Sequence, residues 1–520
     1  MKRTEMLARI KGHSDLWDFI IIGGGATGIG TAIEAASRGY QTLLLEQGDF
    51  GQGTSSRSTK LIHGGVRYLQ QGNISFVLEA LKERGLLRQN APHLVHNLPF
   101  IVPNYDWWEG PFYGIGLKLY DILAGKHGFG QSKILSKEKT LEHIPTIETK
   151  GLRGGVIYYD GQFDDARLVI NMAQTAAEQG GAVINYMKVI ALTKAHEMVD
   201  GVIARDMETG DEFHVKARVI INATGVFADS IRRMDDQQAE AMISPSQGVH
   251  IVLDRSFLPG DSAIMVPHTD DGRVLFAIPW HDRVIVGTTD TAITDTPIEP
   301  HPLVEELEFL LSHAARYLTK DPVPADVLSA FAGLRPLVSV GDGVNTAAIS
   351  RDHIVHISRS GLLTITGGKW TTYRKMAEDT INQAAVLAHL DIMPSVTANL
   401  QIHGYHKHTE KFGDLRRYGS DTPAIKDLLR ENQKYQEKLH PKFPYRAGEV
   451  IWAVRHEMAQ TVEDFLSRRT RALLLDARAS MEMAPKVADL MAKEMGRTWI
   501  WKRKQVKVYN ELAKGYLLTW

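Results

Sequence analysis

Between Phe19 and Glu46 the chain carries residues whose types and spacing suit the binding of a phosphate-bearing ligand. Gly23, Gly25 and Gly28 stand at G-x-G-x-x-G spacing after the short apolar run Asp18–Ile22. The first glycine permits a tight turn, the second lets a pyrophosphate approach the backbone, and the third lets a helix pack on a strand. The helix that follows, to about Ser37, offers free N–H groups and the positive end of its dipole to an anion. Gln41–Leu45 reads as the next strand. Glu46 then falls about twenty residues beyond the glycines, where a carboxylate reaches a ribose hydroxyl. A glycine turn alone is a weak signal, but here strand, turn, helix, strand and acid arrive in order. The unit predicts a site for the ADP moiety of a dinucleotide and leaves open which one.

Two later glycine signals repeat the placement. One strand ends in Asn222-Ala223-Thr224-Gly225, and Leu362–Thr366 leads into Gly367-Gly368-Lys369 and a helix from about Tyr373. Each puts glycine where a strand meets a loop at the carboxyl edge of a sheet, the place where doubly wound folds bind ligands. A helix N-terminus there would stabilise the negative charge that a reduced flavin develops near N1. Flavoproteins, whose cofactor lies extended across its domain, need a long split arrangement of this kind. Nicotinamide folds do not.

The elements that must position these residues fill a chain of 520 residues, enough for two or three units with sizeable cores. Hydrophobic content of 43% and charged content of 23% are ordinary for a globular protein. A net charge of -1 gives no pull toward nucleic acid. The absence of cysteine excludes disulfides, thiolate metal sites and thiol nucleophiles. Met1–Asp18 lacks an apolar signal core, which predicts a cytosolic protein, and no apolar run is long enough to span a bilayer. Gly48–Gly72 reads as a long loop, Ile74–Gln89, Phe112–Leu123 and Asp164–Gln179 as helices, and Leu98–Asp106, Val183–Tyr186, Gly201–Asp206, Glu212–Val215 and Arg218–Asn222 as strands. Val249–Leu253, Ala263–Val266, Val274–Ile278 and Val284–Thr288 are strand-like runs separated by turns, as in an antiparallel or mixed sheet. Val450, Val454, Met458, Val462 and Phe465 keep helical spacing, so a helical domain follows residue 410 or so. The close histidines His403, His406 and His408 have no acids beside them in sequence, so they read as a solvated loop and no metal site is expected. Tyr105–Tyr120, with Trp107, Trp108, Phe112 and Tyr113, and Trp499–Lys507, with Trp501, Lys502, Arg503 and Lys504, each admit two readings, packing or an interfacial surface.

The block Thr54–Leu69, Thr-Ser-Ser-Arg-Ser-Thr-Lys-Leu-Ile-His-Gly-Gly-Val-Arg-Tyr-Leu, resembles the signature of FAD-dependent glycerol-3-phosphate dehydrogenases. Gly287-Thr288-Thr289-Asp290, Gly333-Leu334-Arg335-Pro336-Leu337, Ser350-Arg351-Asp352 and Gly367–Lys375 are similar to further blocks of that family, in family order. The resemblance is strong over residues 17–395 and looser beyond. No large insertion of the related glycerophosphate oxidases is seen, which favours the dehydrogenase branch.

The resemblance implies an α/β fold. A Rossmann-like FAD-binding domain of the glutathione-reductase and D-amino-acid-oxidase type would occupy residues 1–400, mainly 17–90, 150–240 and 325–395, with an inserted sheet-rich substrate cap at about 91–149 and 241–324 and a helical domain over 401–520. It implies oxidation of glycerol 3-phosphate by tightly held FAD, with electrons passed to a membrane quinone. The alternatives are an oxidase of the same substrate and a related amine or 2-hydroxyacid oxidoreductase. Arg67, Arg335, Arg351 and Lys369 are the implied partners of the substrate dianion, since guanidinium suits bidentate phosphate contact, and Tyr68 is a further substrate contact. Arg335 and His250 are expected at the reacting centre, because a neutral imidazole is a suitable base near physiological pH. His63 would brace the flavin loop. Gly23, Gly25, Gly28, Glu46, Ser55, Ser56, Thr59, Lys60, Leu61, Gly225, Gly368, Lys369 and Thr371 would line the FAD site. The expected setting is a homodimer at the cytoplasmic face of the cell membrane, with no nucleic-acid partner.

Overall fold

Apart from Asp18, the strand Trp17–Ile22 is uniformly apolar and buried, the pattern of a strand covered on both faces. It lies at the centre of an eight-stranded sheet, flanked in parallel by Glu212–Asn222 and Thr42–Leu45, with Leu363–Gly367 and Ala182–Ile184 beyond them. In this computed structural model all residues are described except 14, 66–72, 108, 268, 270–272, 339–352 and 519–520, and the side chain of residue 126. The helices Ala26–Ser37, Asp165–Glu178 and Tyr373–Leu387 pack on and beside one another around this sheet. Their apolar residues join Phe19–Ile22 and Leu43–Leu45 in one core.

A ten-stranded sheet forms the second layer. Its long strands Val95–Asn104, Gly154–Phe163, Ile243–Asp254 and Ser329–Val338 pair antiparallel in two couples. Ala263–Val266, Leu275–Trp280 and Arg283–Gly287 lie between the couples. The C-terminal part is helical, with Thr422–Glu431, Ala447–His456, Ala477–Glu494 and Trp499–Lys514 as its main helices. Its core takes in Val252, Trp280, Ile285 and Phe331 from the second sheet, so the helical domain shares a core with the strands. Among the described residues no helix is long and apolar enough to cross a membrane.

The helices expected from periodicity are present as Ile74–Asn90, Glu109–Ala124 and Asp165–Glu178, the last capped by the Asp164 side chain. Gly154–Phe163 and Ser329–Val338, placed by sequence within the FAD-domain segments, are strands of the second sheet. Their partners lie far away in sequence, so no local pattern discloses which sheet they join. The runs Glu212–Val215 and Arg218–Asn222 are one strand. Glu212–Lys216 pairs antiparallel with Met198–Asp206, and Ala217–Asn222 pairs parallel with Trp17–Ile22.

Buried ion pairs tie the helical domain to the rest. The Arg167 guanidinium, on the helix Asp165–Glu178, holds both carboxylate oxygens of Glu457, and the Trp452 indole N–H donates to the same carboxylate at 3.1 Å. Both charged side chains are essentially inaccessible. Removing one member of such a pair strands the other in a medium that cannot solvate it. Glu457→Ala is expected to lower the free energy of unfolding by ~3–5 kcal/mol, read by urea denaturation. A loss below ~1 kcal/mol would show that the pair carries little weight.

Candidate active site

The turn after Trp17–Ile22 is built as the glycine spacing predicts. Gly23 sits at a φ of 112°. A Cβ on Gly28 would lie 1.9 Å from the Gly23 carbonyl oxygen, so no side chain fits where helix meets strand. The helix Ala26–Ser37 has no side-chain N-cap at Gly25, and its first turn faces a cleft lined by Gly23–Thr27, Glu46, Gln52–Ser55 and Thr224–Phe227. Glu46 stands beside this cradle and accepts from the N–H groups of Gly24 at 2.6 Å and Gly48 at 2.7 Å. Burial pushes its carboxyl up from the usual range, and the two N–H donors oppose that shift. A cleft edged by backbone N–H groups, with an acid at the ribose position, fits the adenosine and pyrophosphate portion of FAD.

Gly367, Gly368, Lys369 and Trp370 line this cleft and also a second cavity of about 770 Å³, so the two are continuous. Gly367 and Gly368 both adopt positive φ, 77° and 68°, where the strand turns toward the helix that starts at Tyr373. The Trp370 indole N–H donates to the Ser55 carbonyl at 2.9 Å, joining the third glycine turn to the flavin loop. Thr371 Oγ1 accepts from the His63 N–H at 3.3 Å. Ser55 Oγ accepts from the first helical N–H, that of Ala26, at 2.9 Å.

The second cavity has a mixed lining. His250, Arg335, Lys369 and Thr288 are among its polar lining and Phe76, Phe100, Met265 and Phe276 among its apolar lining, with the Lys369 ammonium 4.6 Å from the Phe76 ring centroid. Arg335 donates to Asp290 Oδ1 at 3.2 Å, to Thr288 Oγ1 at 3.1 Å and to the Thr289 carbonyl at 2.9 Å. Ser246 donates to the same oxygen of Asp290. These partners fix the guanidinium on the cavity wall. The ring of His250 is 2% exposed and stacks on Phe331 at 4.9 Å between centroids. Its Nε2 lies 2.9 Å from Thr59 Oγ1, and its buried Nδ1 has no protein partner among the described residues. A Cβ on Gly287 would come within 2.2 Å of this ring, so glycine there makes room for it. Burial holds the imidazole well below its usual 6.5, and the positive charges of Lys60 and Arg335 push it the same way. The ring is therefore neutral at pH 7.

The expected site residues divide into three groups. Gly23, Gly25, Glu46, Ser55, Gly225, Gly368 and Lys369 line the first cleft, and Thr59, Leu61, His63, His250, Arg335, Lys369, Gly368 and Thr371 line the second cavity. Lys60 and Ser56 line neither one. Lys60 Nζ turns away to Asp165 Oδ2 at 2.6 Å and the Ser56 carbonyl at 2.7 Å, while its N–H donates to Ser58 Oγ and its carbonyl accepts from Phe163 N–H. The buried carboxylate of Asp165, about a hundred residues away in the chain, demands the cation more strongly than an open cleft does. Burial lowers this ammonium to about 7, with Asp165 opposing. Gly28 lies behind the turn and serves packing. Arg67, Tyr68 and Arg351 lie outside the described residues.

Sequence reasoning missed several lining residues. Asp290 and Thr288 sit in a block that was singled out, and pairing with Arg335 gives them a role. Arg57 lies in the glycine-rich block, lines the second cavity and donates to Glu299 Oε2 at 2.5 Å. Asp160 and Arg273 also line that cavity and carry no local motif. The histidine loop needs correction too. His403 does have acids beside it in space, Glu178 at 2.5 Å and Asp421 at 2.8 Å, and these raise it to about 9 against its burial. It is an ion-paired imidazolium. Among the described residues no group of acids and imidazoles could hold a metal.

Known proteins share this architecture. The FAD-dependent oxidoreductase family model matches residues 18–374, and a model of the C-terminal domain of alpha-glycerophosphate oxidase matches residues 362–505. The mitochondrial glycerol-3-phosphate dehydrogenase of Rattus norvegicus is 42% identical over 550 aligned positions, spanning 99% of this chain and 75% of that protein. The structure of a glycerol-3-phosphate dehydrogenase from Bacillus halodurans, complexed with FAD, superposes with a TM-score of 0.81 at 30% identity, covering 99% of this chain and 97% of that one. An FAD-bound L-alpha-glycerophosphate oxidase from Mycoplasma pneumoniae shares the fold at a TM-score of 0.58 and 17% identity, over 75% of this chain and 99% of that one. With its cradle built for FAD and its whole length matched, the chain belongs to the family of FAD-dependent glycerol-3-phosphate dehydrogenases.

Proposed function

We propose that this protein oxidises sn-glycerol 3-phosphate to dihydroxyacetone phosphate and passes the electrons to a membrane quinone. The observation that carries the reading is the wall on which Arg335, held by Asp290 and Thr288, stands in one cavity with the neutral ring of His250. FAD, when bound, supplies the acceptor for the hydride leaving C2. Arg335 and Lys369 hold the phosphate dianion, because charge-assisted contacts are the strong ones. His250 takes the proton of the C2 hydroxyl. Thr59 Oγ1, at 2.9 Å from Nε2, orients the imidazole for that transfer. Phe76, Phe100 and Phe276 add apolar lining that excludes water. The match to a glycerophosphate oxidase C-terminal domain keeps oxygen as the second candidate for electron acceptor.

Anaerobic titration of the flavin-loaded protein with glycerol 3-phosphate should bleach the visible flavin bands, and glycerol alone should not. Arg335→Ala should keep its flavin and raise the Michaelis constant about 10–100-fold, the range that ~1.5–3 kcal/mol represents. An unshifted constant would remove Arg335 from the phosphate site. Quinone-dependent turnover without peroxide separates dehydrogenase from oxidase.

The pH dependence follows from the burial of His250. A base works unprotonated, and a lowered pKa keeps it so until the pH falls through that lowered value. The acid limb of kcat/KM should therefore lie below pH 6.5. A limb at or above that value would assign the proton to another group.

Support for a membrane location comes from the helix Glu109–Ala124. Tyr113, Leu117 and Tyr120 face inward, while Phe112, Ile115, Leu119 and Ile122 face out at helical spacing beside Trp107, with Ile115 and Ile122 each 74% exposed. An exposed apolar helical stripe suits insertion at a lipid headgroup boundary. We place this face on the cytoplasmic leaflet. Ile115→Glu with Ile122→Glu should abolish co-sedimentation with phosphatidylglycerol-containing vesicles and leave turnover with a soluble dye acceptor unchanged. Undiminished sedimentation would rule this helix out.

A further inference from the structure

The segment Gln47–Lys60 supplies much of the front of the flavin cleft, through Gln47, Gln52–Ser55, Arg57, Ser58 and Thr59. It has almost no regular structure of its own, only the single turn Thr54–Ser56. A loop of this kind does not keep one conformation by backbone pairing, so its shape is set by what holds it from behind. Along its back the partners come from the helical domain. A wide π-type turn over Asp464–Arg469 brings two consecutive arginines to one carboxylate. Arg468 Nε donates to Asp49 at 2.5 Å, and Arg469 Nη2 donates to its other oxygen at 2.9 Å. Gln52 donates to Glu463 at 3.4 Å. Arg471 Nη2 donates to the Ser56 carbonyl at 2.8 Å and to Asp165 at 3.1 Å. At the loop's other end, the Tyr516 hydroxyl and Arg57 grip opposite oxygens of Glu299, each at 2.5 Å.

None of Glu463, Arg468, Arg469, Arg471 and Tyr516 lines either cavity. Glu463, Arg468, Arg469 and Arg471 touch the cofactor loop directly, and Tyr516 reaches it through Glu299. We propose that the C-terminal helical domain is a retention clamp for FAD, with Arg471 as its central positioning residue. It acts on the flavin through the shape of the Gln47–Lys60 loop. This goes beyond the substrate assignment and does not depend on it.

The test is the rate of flavin release from the holoenzyme, followed as free-flavin fluorescence after dilution, together with the visible circular dichroism of the bound flavin. Arg471→Met removes both donors while leaving Lys60 to face Asp165. Release from the folded holoprotein should quicken about tenfold, the effect of losing a charge-assisted hydrogen bond. Tyr516→Phe loses only the hydroxyl, with its contacts to Glu299 and Arg57, and should quicken release about threefold. Should Arg471→Met fail to fold, Tyr516→Phe decides alone. Release from the folded variants within about twofold of the native rate, with an unaltered flavin dichroism signal, would overturn the clamp.

Discussion

The carboxylate of Asp165 is sealed from water at the start of a helix, and the arrangement around the cofactor loop follows from having to satisfy it. It accepts from the Ser58 N–H and hydroxyl, from Lys60, from Arg471 and from the N–H of Ala166 next to it. A buried carboxylate left without donors would cost several kcal/mol. Satisfying it fixes the end of the flavin loop, turns Lys60 inward at a φ of 63° and fastens the C-terminal domain to the FAD domain. The same lysine lies 5.1 Å from the ring of Phe331, on whose surface His250 stacks. One ionic demand thus reaches from the domain interface to the imidazole.

The second cavity draws His250, Arg335, Thr288 and Asp290 from the strands Ile243–Asp254 and Ser329–Val338 and the turn at Thr288–Asp290, which are neighbours in the sheet. Phe100, Met265 and Phe276 come from the strands Val95–Asn104, Ala263–Val266 and Leu275–Trp280. Low-dielectric surroundings strengthen the electrostatic contacts of Arg335. They also keep His250 uncharged, which is the state a base requires.

Much of this was legible in the sequence where local pattern decides the outcome. The Gly23–Glu46 unit is a local device, because turn, helix and strand are contiguous, and it folds as read. A helix with strong periodicity, such as Asp165–Glu178, is legible for the same reason. Sheet membership was not legible for Gly154–Phe163 or Ser329–Val338, whose pairing partners are remote. Nor was the inward turn of Lys60, whose partner Asp165 lies in another segment. His403 read as solvated because Glu178 and Asp421 reach it only through the fold. Long-range electrostatics leaves no spacing rule behind it. The blocks around Arg335 and Gly368 were legible by resemblance, but the role of Asp290 became visible only with its distance to the guanidinium.

Phe331 belongs at once to the core of the helical domain and to the wall behind His250. The last hundred or so residues are therefore not a detachable module. Cutting them away would bare one face of the phenyl ring against which the imidazole rests, as well as Val252, Trp280 and Ile285 beside it. The chain's tail and the second cavity are indivisible at the level of a single aromatic side chain, and a shortened form would forfeit the imidazole's alignment along with the core.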